Sequence, residues 1–590
     1  MFKLLSKNFL FIFFILLISL FTLYPSFKLA LFGDDWLMFN AYIADVGSIS
    51  AGFSKHLHEY LSPYGPTQVL MGLLAQLYNF NSTFYYITSY LFRLFAAFSL
   101  LPITFYLTRN KLAAFFAVLF FSVTTTGFDT TNWVFNMTTY LSIGFVSLSL
   151  FFYLRSKEKR GMIFLVPAII LFYLAYITCS IRMHATLPLL ILLEVFWNFQ
   201  ERNLLFARKS FIRLSLVLAA ILFIRFTGGT FGQPTEAADR IREGTNTFKL
   251  FLSQGRYDFL AYPLASFGSI FIPDVILPFS GQVSSITNYI ISLVLPILLI
   301  FSIVSRFLIK LTHGLHKGLF GILFTLMIIW TIISIIVYKS NLSTFSSATY
   351  NSLLLIGGYI FILGLMFIFK NIKLKLTSTL LILSFAWILL SYLYAWLWRP
   401  ELYLTTNRYL IVGAAGAALF LSGLISLGKS RRNQFKIFMI FIPLLIMHIY
   451  ATRMYEYQLE LSGHGQETSN KIWTSIPYMP EISKKEEVSI FFFLGDDTNG
   501  GIIHDSITFG FSPHLSVLYK ITDSNKIPLV MDSWEEVVSA VSDGKAFIRH
   551  YGVAIDPIPI DNVYVFKLEG KDNLINLTDG ARKELKKRLN

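Results

Sequence analysis

The sequence predicts an α-helical polytopic membrane protein with about thirteen transmembrane helices and a small C-terminal extracytoplasmic α/β domain. Three observations lead there. Of 590 residues, 55% are hydrophobic and 17% aromatic, while only 14% are charged, against roughly a quarter in soluble domains. Apolar stretches long enough to cross a hydrocarbon core recur from the N-terminus to about residue 450. Lys and Arg gather in alternate short connections, as they do on the cytoplasmic side of membrane proteins. This composition excludes a single soluble domain, a disordered scaffold and a coiled coil. The net charge of +15 follows membrane topology, so no nucleic acid partner is inferred from it. The single Cys179 excludes an internal disulfide and a Cys-based metal centre within one chain.

The apolar cores fall at 9–29, 84–107, 112–125, 138–154, 162–178, 185–199, 211–226, 289–308, 319–338, 350–369, 376–396, 409–427 and 437–450. Basic connections at Lys3 and Lys7, Arg109 and Lys111, 155–160, 202–209, 310–317, 370–375 and 429–436 place the N-terminus in the cytoplasm. An odd number of spans then puts the C-terminal segment outside. No small-residue cleavage site follows the first apolar run, so it reads as a retained helix. The acidic residues show the opposite bias. Before Arg453, Asp34, Asp35, Asp45, Glu59, Asp129, Glu236, Asp239, Glu243, Asp258, Asp274 and Glu401 all fall on the outer side. Any chemistry faces outward.

Two domains are expected, a transmembrane domain at 1–452 and an extracytoplasmic soluble α/β domain at 453–590. The first carries a long first outer loop, 32–82, and a second long outer loop, 227–285, and loops of such length usually have a function or a structure of their own. In the second, strands are expected at 489–494, 506–511 and 563–566, and helices at 533–541 and 579–589.

Asp34 and Asp35 stand in Phe-Gly-Asp-Asp-Trp, where the first span leaves the bilayer. Adjacent carboxylates at a membrane surface suit metal binding, a shared proton, or a helix cap with Trp36 as interfacial anchor. The pair is therefore also the candidate ligand set for a divalent metal ion. Asp129, four residues before Trp133, is alone a turn former. A donor carried on a lipid would present its phosphate at this outer surface, where cations must meet it. Arg182, Arg225 and Arg408 stand at outer helix ends, each equally suited to anchoring in the headgroups. Arg93 lies within or near the second span, where a charge must find a partner or a wet cavity, and is a further site candidate. His56, His58 and Glu59 lack the spacing of a helical metal site. Residues 495–501 read as a turn-rich loop, and no phosphate-binding loop, dinucleotide fingerprint or hydrolase elbow is present.

A basic N-terminus, one span, an acidic pair heading a long outer loop, many further spans and a soluble outer tail resemble the GT-C superfamily of integral-membrane glycosyltransferases. Within it the chain looks most like the protein O-mannosyltransferase and aminoarabinose-transferase type. The resemblance implies transfer of a sugar from a polyprenyl-phosphate donor to an acceptor outside the cytoplasmic membrane, with the first-loop acidic residue as catalytic carboxylate, here Asp34 or Asp35. Asp129 and Trp133 keep the family's second-loop spacing, and Arg408, Tyr409 and Leu410 match its Arg-Tyr-Leu helix entry. Tyr64-Gly65-Pro66 lacks the Arg found in relatives, and Ile181-Arg182 before Pro188 replaces a Lys-Glu pair. No tetratricopeptide pattern and no WWDYG-like motif is present.

The expected mechanism has one of Asp34 and Asp35 as general base on an acceptor hydroxyl. Its neighbour and Asp129 orient the acceptor or hold a metal ion, and Arg182, Arg408 and Tyr409 receive the lipid phosphate. Direct attack implies inversion. The acceptor class (glycan, lipid or protein) stays open. The rival classes are a transporter or lipid flippase, for which internal repeats and midplane ionisable sites are the expected marks, and a non-catalytic GT-C-like assembly protein. The Phe-, Ile- and Lys-rich composition suggests a bacterial cytoplasmic membrane.

Overall fold

The computed structural model describes residues 9–36, 39, 65–158, 161–179, 182, 186–201, 204–227, 236–277, 347–371, 375–476, 482, 488–495, 500–503, 506, 510–519, 521, 526–531, 533–543 and 557–589. The expected spans at 289–308 and 319–338, the loop residues 40–64 and Asp496 to Asn499 lie outside them. Eight described helices are long and apolar enough to cross a membrane: Phe9–Lys28, Ser82–Thr108, Val134–Arg155, Gly161–Thr178, Ser352–Phe369, Leu376–Trp398, Arg408–Ser426 and Arg431–Leu461. Lys111–Val123 and Pro188–Asn198 are shorter apolar helices, and Leu204–Thr227 forms a further helix where the seventh span is expected. The chain is a multi-pass membrane protein.

The chain divides into two compact units. One comprises Met1–Leu23, Leu91–Thr130 and Thr138–Arg453, the other Tyr24–Tyr90, Thr131–Met137 and Met454–Asn590. The second unit thus takes in the first outer loop, 32–82, and the short stretch Thr131–Met137, both of which the sequence groups with the membrane region.

Within the first unit, small residues let backbones approach. Gly268 on Tyr262–Phe271 and Gly357 on Ser347–Lys370 sit backbone to backbone, and a Cβ on Gly357 would run into the Leu264 carbonyl. Helices in lipid gain from such close packing because no hydrophobic drive separates them from the acyl chains. The Ala- and Gly-rich Ile411–Ser426 helix is buried along almost its whole length. Arg93 finds its partners in the same unit. Its guanidinium donates to the carbonyls of Phe121 and Thr124 at the end of Lys111–Val123 and lies 4.9 Å from the Phe128 ring. The charge is a clamp on a helix end, which accounts for its place in a span. Glu194 and Arg213 form a buried two-pronged pair at 2.7 and 2.8 Å, completed by the hydroxyls of Tyr153 and Ser210.

Within the second unit, a four-stranded sheet has the order β2-β1-β3-β4, with β1 Ile490–Leu494, β2 Leu529–Met531, β3 Val563–Glu569 and β4 Asn573–Asn576. The strand β1 pairs parallel to β2 and β3, and β4 closes antiparallel on β3. Its two faces are apolar, one built on Phe491, Phe493 and Phe566, the other on Ile490, Phe492 and Val565. Ser533 caps Trp534–Ser542 through the Glu536 N–H at 3.2 Å, as the Ser-x-x-Glu spacing leads one to expect. The strand expected at 506–511 does not hold at its end. Gly510 adopts a φ of +88° and Phe511 opens the helix Phe511–Tyr519, a turn that the period-2 pattern conceals.

Candidate functional site

Each unit carries one cluster of the residues singled out by sequence. In the first unit the platform is the segment from Thr124 to Thr130, which leaves the Lys111–Val123 helix. Three consecutive threonines could satisfy their own backbone in many ways; here each is tied outward. His448 accepts from the Thr125 N–H at 3.2 Å through Nδ1 and contacts the Phe271 carbonyl at 3.1 Å through Nε2. The Thr125 hydroxyl donates to the His448 carbonyl at 2.7 Å, and the Thr126 hydroxyl to the Ile270 carbonyl at 2.8 Å. The Gly127 and Asp129 N–H groups then donate to the carbonyls of Thr405 and Thr406 at 2.6 and 2.8 Å. Asp129 is thereby fixed beside the Thr-Thr-Asn-Arg-Tyr-Leu stretch from which Arg408–Ser426 starts. His448 is a positioning residue that sequence reading missed, because a lone His in an apolar helix carries no spacing signal.

The same unit brings the predicted cations together. Arg182 is buried, with Nη1 donating to the Thr139 hydroxyl at 2.7 Å and reaching Thr130 Oγ1 at 3.4 Å. Its guanidinium lies 5.7 Å from the Tyr409 ring centre, and that of Arg408 lies 5.6 Å from the same ring. Asn407 holds the turn by accepting from the Tyr409 N–H at 3.0 Å. Two guanidiniums thus lie against one phenol ring, each gaining about 0.5–2 kcal/mol from it. Such a pair can receive a dianionic phosphate at a helix entry. The Arg225 side chain lies outside the described residues.

In the second unit, Asp34 and Asp35 occupy a tight turn. Gly33 supplies a φ of +58°. Ala30 N–H donates to the His464 carbonyl at 2.8 Å, the Phe32 ring meets His464 edge-on at 4.2 Å, and Trp36 stacks on His514 at 3.5 Å. Ser26 donates to the buried Glu456 at 3.0 Å. The two carboxylates then part in character. Asp34 is half-buried, whereas Asp35 is fully enclosed and accepts the N–H groups of Phe135 at 2.6 Å and Phe32 at 3.3 Å. Burial, with the Asp34 charge adding to it, pushes the Asp35 carboxyl up to about 8 against the opposing pull of these N–H donors. Around the pair, Tyr86 donates to the carbonyls of Ala30 and Asn132 at 2.8 and 3.0 Å. The Tyr85 hydroxyl is buried, as is the Asn132 side-chain amide, which has no hydrogen-bond partner among the described residues. Neither was apparent from sequence.

Among the described residues no three His, Cys, Asp or Glu side chains gather where a metal ion could be held. Each Asp35 oxygen accepts a backbone hydrogen bond. His56, His58, Glu59 and Tyr64 lie outside the described residues.

No protein-family model and no curated protein matches the chain. Among solved structures, the archaeal oligosaccharyltransferase AglB from Archaeoglobus fulgidus, in complex with an inhibitory peptide and a dolichol-phosphate, is similar at 11% identity and a TM-score of 0.45, over 95% of this chain and 70% of its own. An Archaeoglobus fulgidus oligosaccharyltransferase in complex with Zn and sulfate is similar at 12% identity and a TM-score of 0.38, over 94% and 67%. ArnT from Cupriavidus metallidurans, bound to undecaprenyl phosphate, is similar at 11% identity and a TM-score of 0.30, over 92% of each chain. At such identities and scores the likeness does not specify the reaction of this chain.

Proposed function

We propose that this protein is a membrane glycosyltransferase that moves a sugar from a polyprenyl-phosphate donor to a hydroxyl acceptor on the extracytoplasmic side, with inversion. The observation that carries this reading is the pair of guanidiniums, Arg182 and Arg408, both lying against the Tyr409 ring next to Asp129 at the start of an apolar helix. A transporter path has no need of two cations gathered at one helix entry, whereas a departing lipid phosphate does.

In the reaction, the acceptor oxygen attacks the anomeric carbon as the bond from that carbon to the phosphate oxygen breaks. The acceptor proton passes to a carboxylate, and the polyprenyl phosphate leaves with its new charge facing Arg182 and Arg408. Asp34 is the member of the acidic pair with exposed surface, so it takes the general-base role. Asp35, enclosed and neutral below about pH 8, acts as a positioning residue that shapes the turn. Asp129 orients the acceptor from its fixed turn. The proposal keeps the domain division at 1–452 and 453–590, with acceptor contact assigned to the C-terminal part.

Membranes containing the protein are to be assayed for transfer of labelled sugar from a panel of polyprenyl-phosphate donors, with Asp34→Asn alongside. Transfer by the wild type and its loss in a folded, monodisperse variant support the reading. Undiminished transfer by Asp34→Asn removes the general-base assignment, and no transfer by the wild type across the panel removes the enzyme class.

A further inference from the structure

We infer that a cavity at the shared end of Ser82–Thr108 and Thr138–Arg155 binds the anionic headgroup of a membrane phospholipid. The cavity has a volume of about 380 Å³. Leu101, Phe105 and Phe151 make its apolar wall, and Arg109, Arg155 and Glu158 stand at its polar end. From Leu101 to Arg109 the helix rises about 12 Å, enough for a phosphate at the mouth and the first carbons of an acyl chain below it.

Arg109 is placed there at a conformational cost. It follows the last turn of Ser82–Thr108 with a φ of +55°, a position that Gly or Asn fills easily and an Arg does not. Asn110 caps the next helix at once, through the Ala113 N–H at 3.3 Å, so the turn cannot relax by lengthening. The guanidinium lies 5.4 Å from the Tyr106 ring at the cavity wall. Arg155 sits 4.0 Å from the Phe164 ring and meets Glu158 at 3.6 Å, with both side chains about a third exposed at 35% and 39%. A pair so exposed is weakly held, and a phosphodiester offers Arg155 a two-pronged partner in place of the carboxylate.

The occupant is a lipid because the apolar wall continues two turns beyond the cations, and a free anion would leave it bare. Basic pockets between membrane helices are the general setting for anionic headgroups. The inference is independent of the proposed transfer reaction.

The test uses the full-length protein, delipidated in a non-ionic detergent. Dioctanoyl-phosphatidylglycerol, dioctanoyl-phosphatidylcholine and inorganic phosphate are titrated while thermal unfolding is followed. Saturable stabilisation by phosphatidylglycerol alone is expected, with an apparent Kd at least tenfold weaker in R109Q and R155Q. R109G relieves the backbone and retains the fold, and it should melt no lower than the wild type without lipid while losing the same affinity. Equal stabilisation by phosphatidylcholine, equal stabilisation by inorganic phosphate, or unchanged affinity in R109G would each overturn the proposal.

Discussion

Replacing Asp35 by Asn should make the protein more stable at neutral pH and less stable in acid. The carboxyl rises from 3.8 to about 8 in the folded protein. Between those values the folded chain holds a proton that the unfolded chain releases, so the favourable term is fully present below 3.8 and is lost as pH rises through 8. At about 1.4 kcal/mol per unit, the accumulated loss is roughly 4 kcal/mol by pH 7 and between 5 and 6 above pH 8. Asn cannot ionise and escapes that loss. Its amide oxygen can take the Phe135 N–H, which Asp35 Oδ1 accepts at 2.6 Å, but its nitrogen then faces the Phe32 N–H. An unmatched buried donor costs about 1–3 kcal/mol. The variant should therefore gain about 1–3 kcal/mol at pH 7, lose about the same at pH 4, and match the wild type between roughly pH 4.5 and 6. Thermal melting of both proteins in one detergent from pH 4 to 8.5 reads the difference, which isolates Asp35 from every other titrating group. A difference that stays flat with pH, or a variant weaker at every pH, would refute a neutral buried Asp35.

Glu194→Gln breaks a pair with side chains only 2% and 1% exposed; it should lose about 3–5 kcal/mol, and adding Arg213→Met should restore most of that in chemical or thermal unfolding. Arg408→Gln should lower kcat/KM for a lipid-phosphate donor about 10²-fold in the transfer assay, with little change in melting temperature because Arg408 is only half-buried. Gly127→Ala should destabilise by more than about 2 kcal/mol, since Gly127 has a φ of +70° and a Cβ there would collide with the Ile411 backbone; denaturation of a variant matching the wild type would show that the turn is not fixed. Burial holds His514 down at about 3, so the unfolded chain takes up a proton that the folded one refuses, and stability falls with pH below about 6.5; His514→Gln should flatten that acid limb of the melting curve.

The spans were legible because a helix in lipid must be long and apolar, and that requirement is written locally. Ser82–Thr108 and Leu376–Trp398 announce themselves by composition. The Arg408–Leu410 entry and the Asp129–Trp133 spacing were legible in the same way, as short patterns at helix ends. Arg93 was read correctly as a charge needing a partner, but the partners are carbonyls 28 and 31 residues away, and carbonyls leave no trace in a sequence. The two short strands β2 and β4 have three and four residues, too few for a period to register, whereas 506–511 shows the period while its described residues Ser506, Gly510 and Phe511 lie outside any strand.

By itself the sequence determined the solvent of the protein and the membrane class, because these depend on composition and on neighbours a few positions apart. Only the tertiary structure decided that Asp34 and Asp35, identical and adjacent, differ in character, and that a His at 448 holds a turn near 125. Burial and hydrogen-bond partners come from residues about a hundred or more positions away, such as Phe135 for Asp35 and His448 for Thr125. The desolvation that separates two equal carboxyls exists only once those segments have packed.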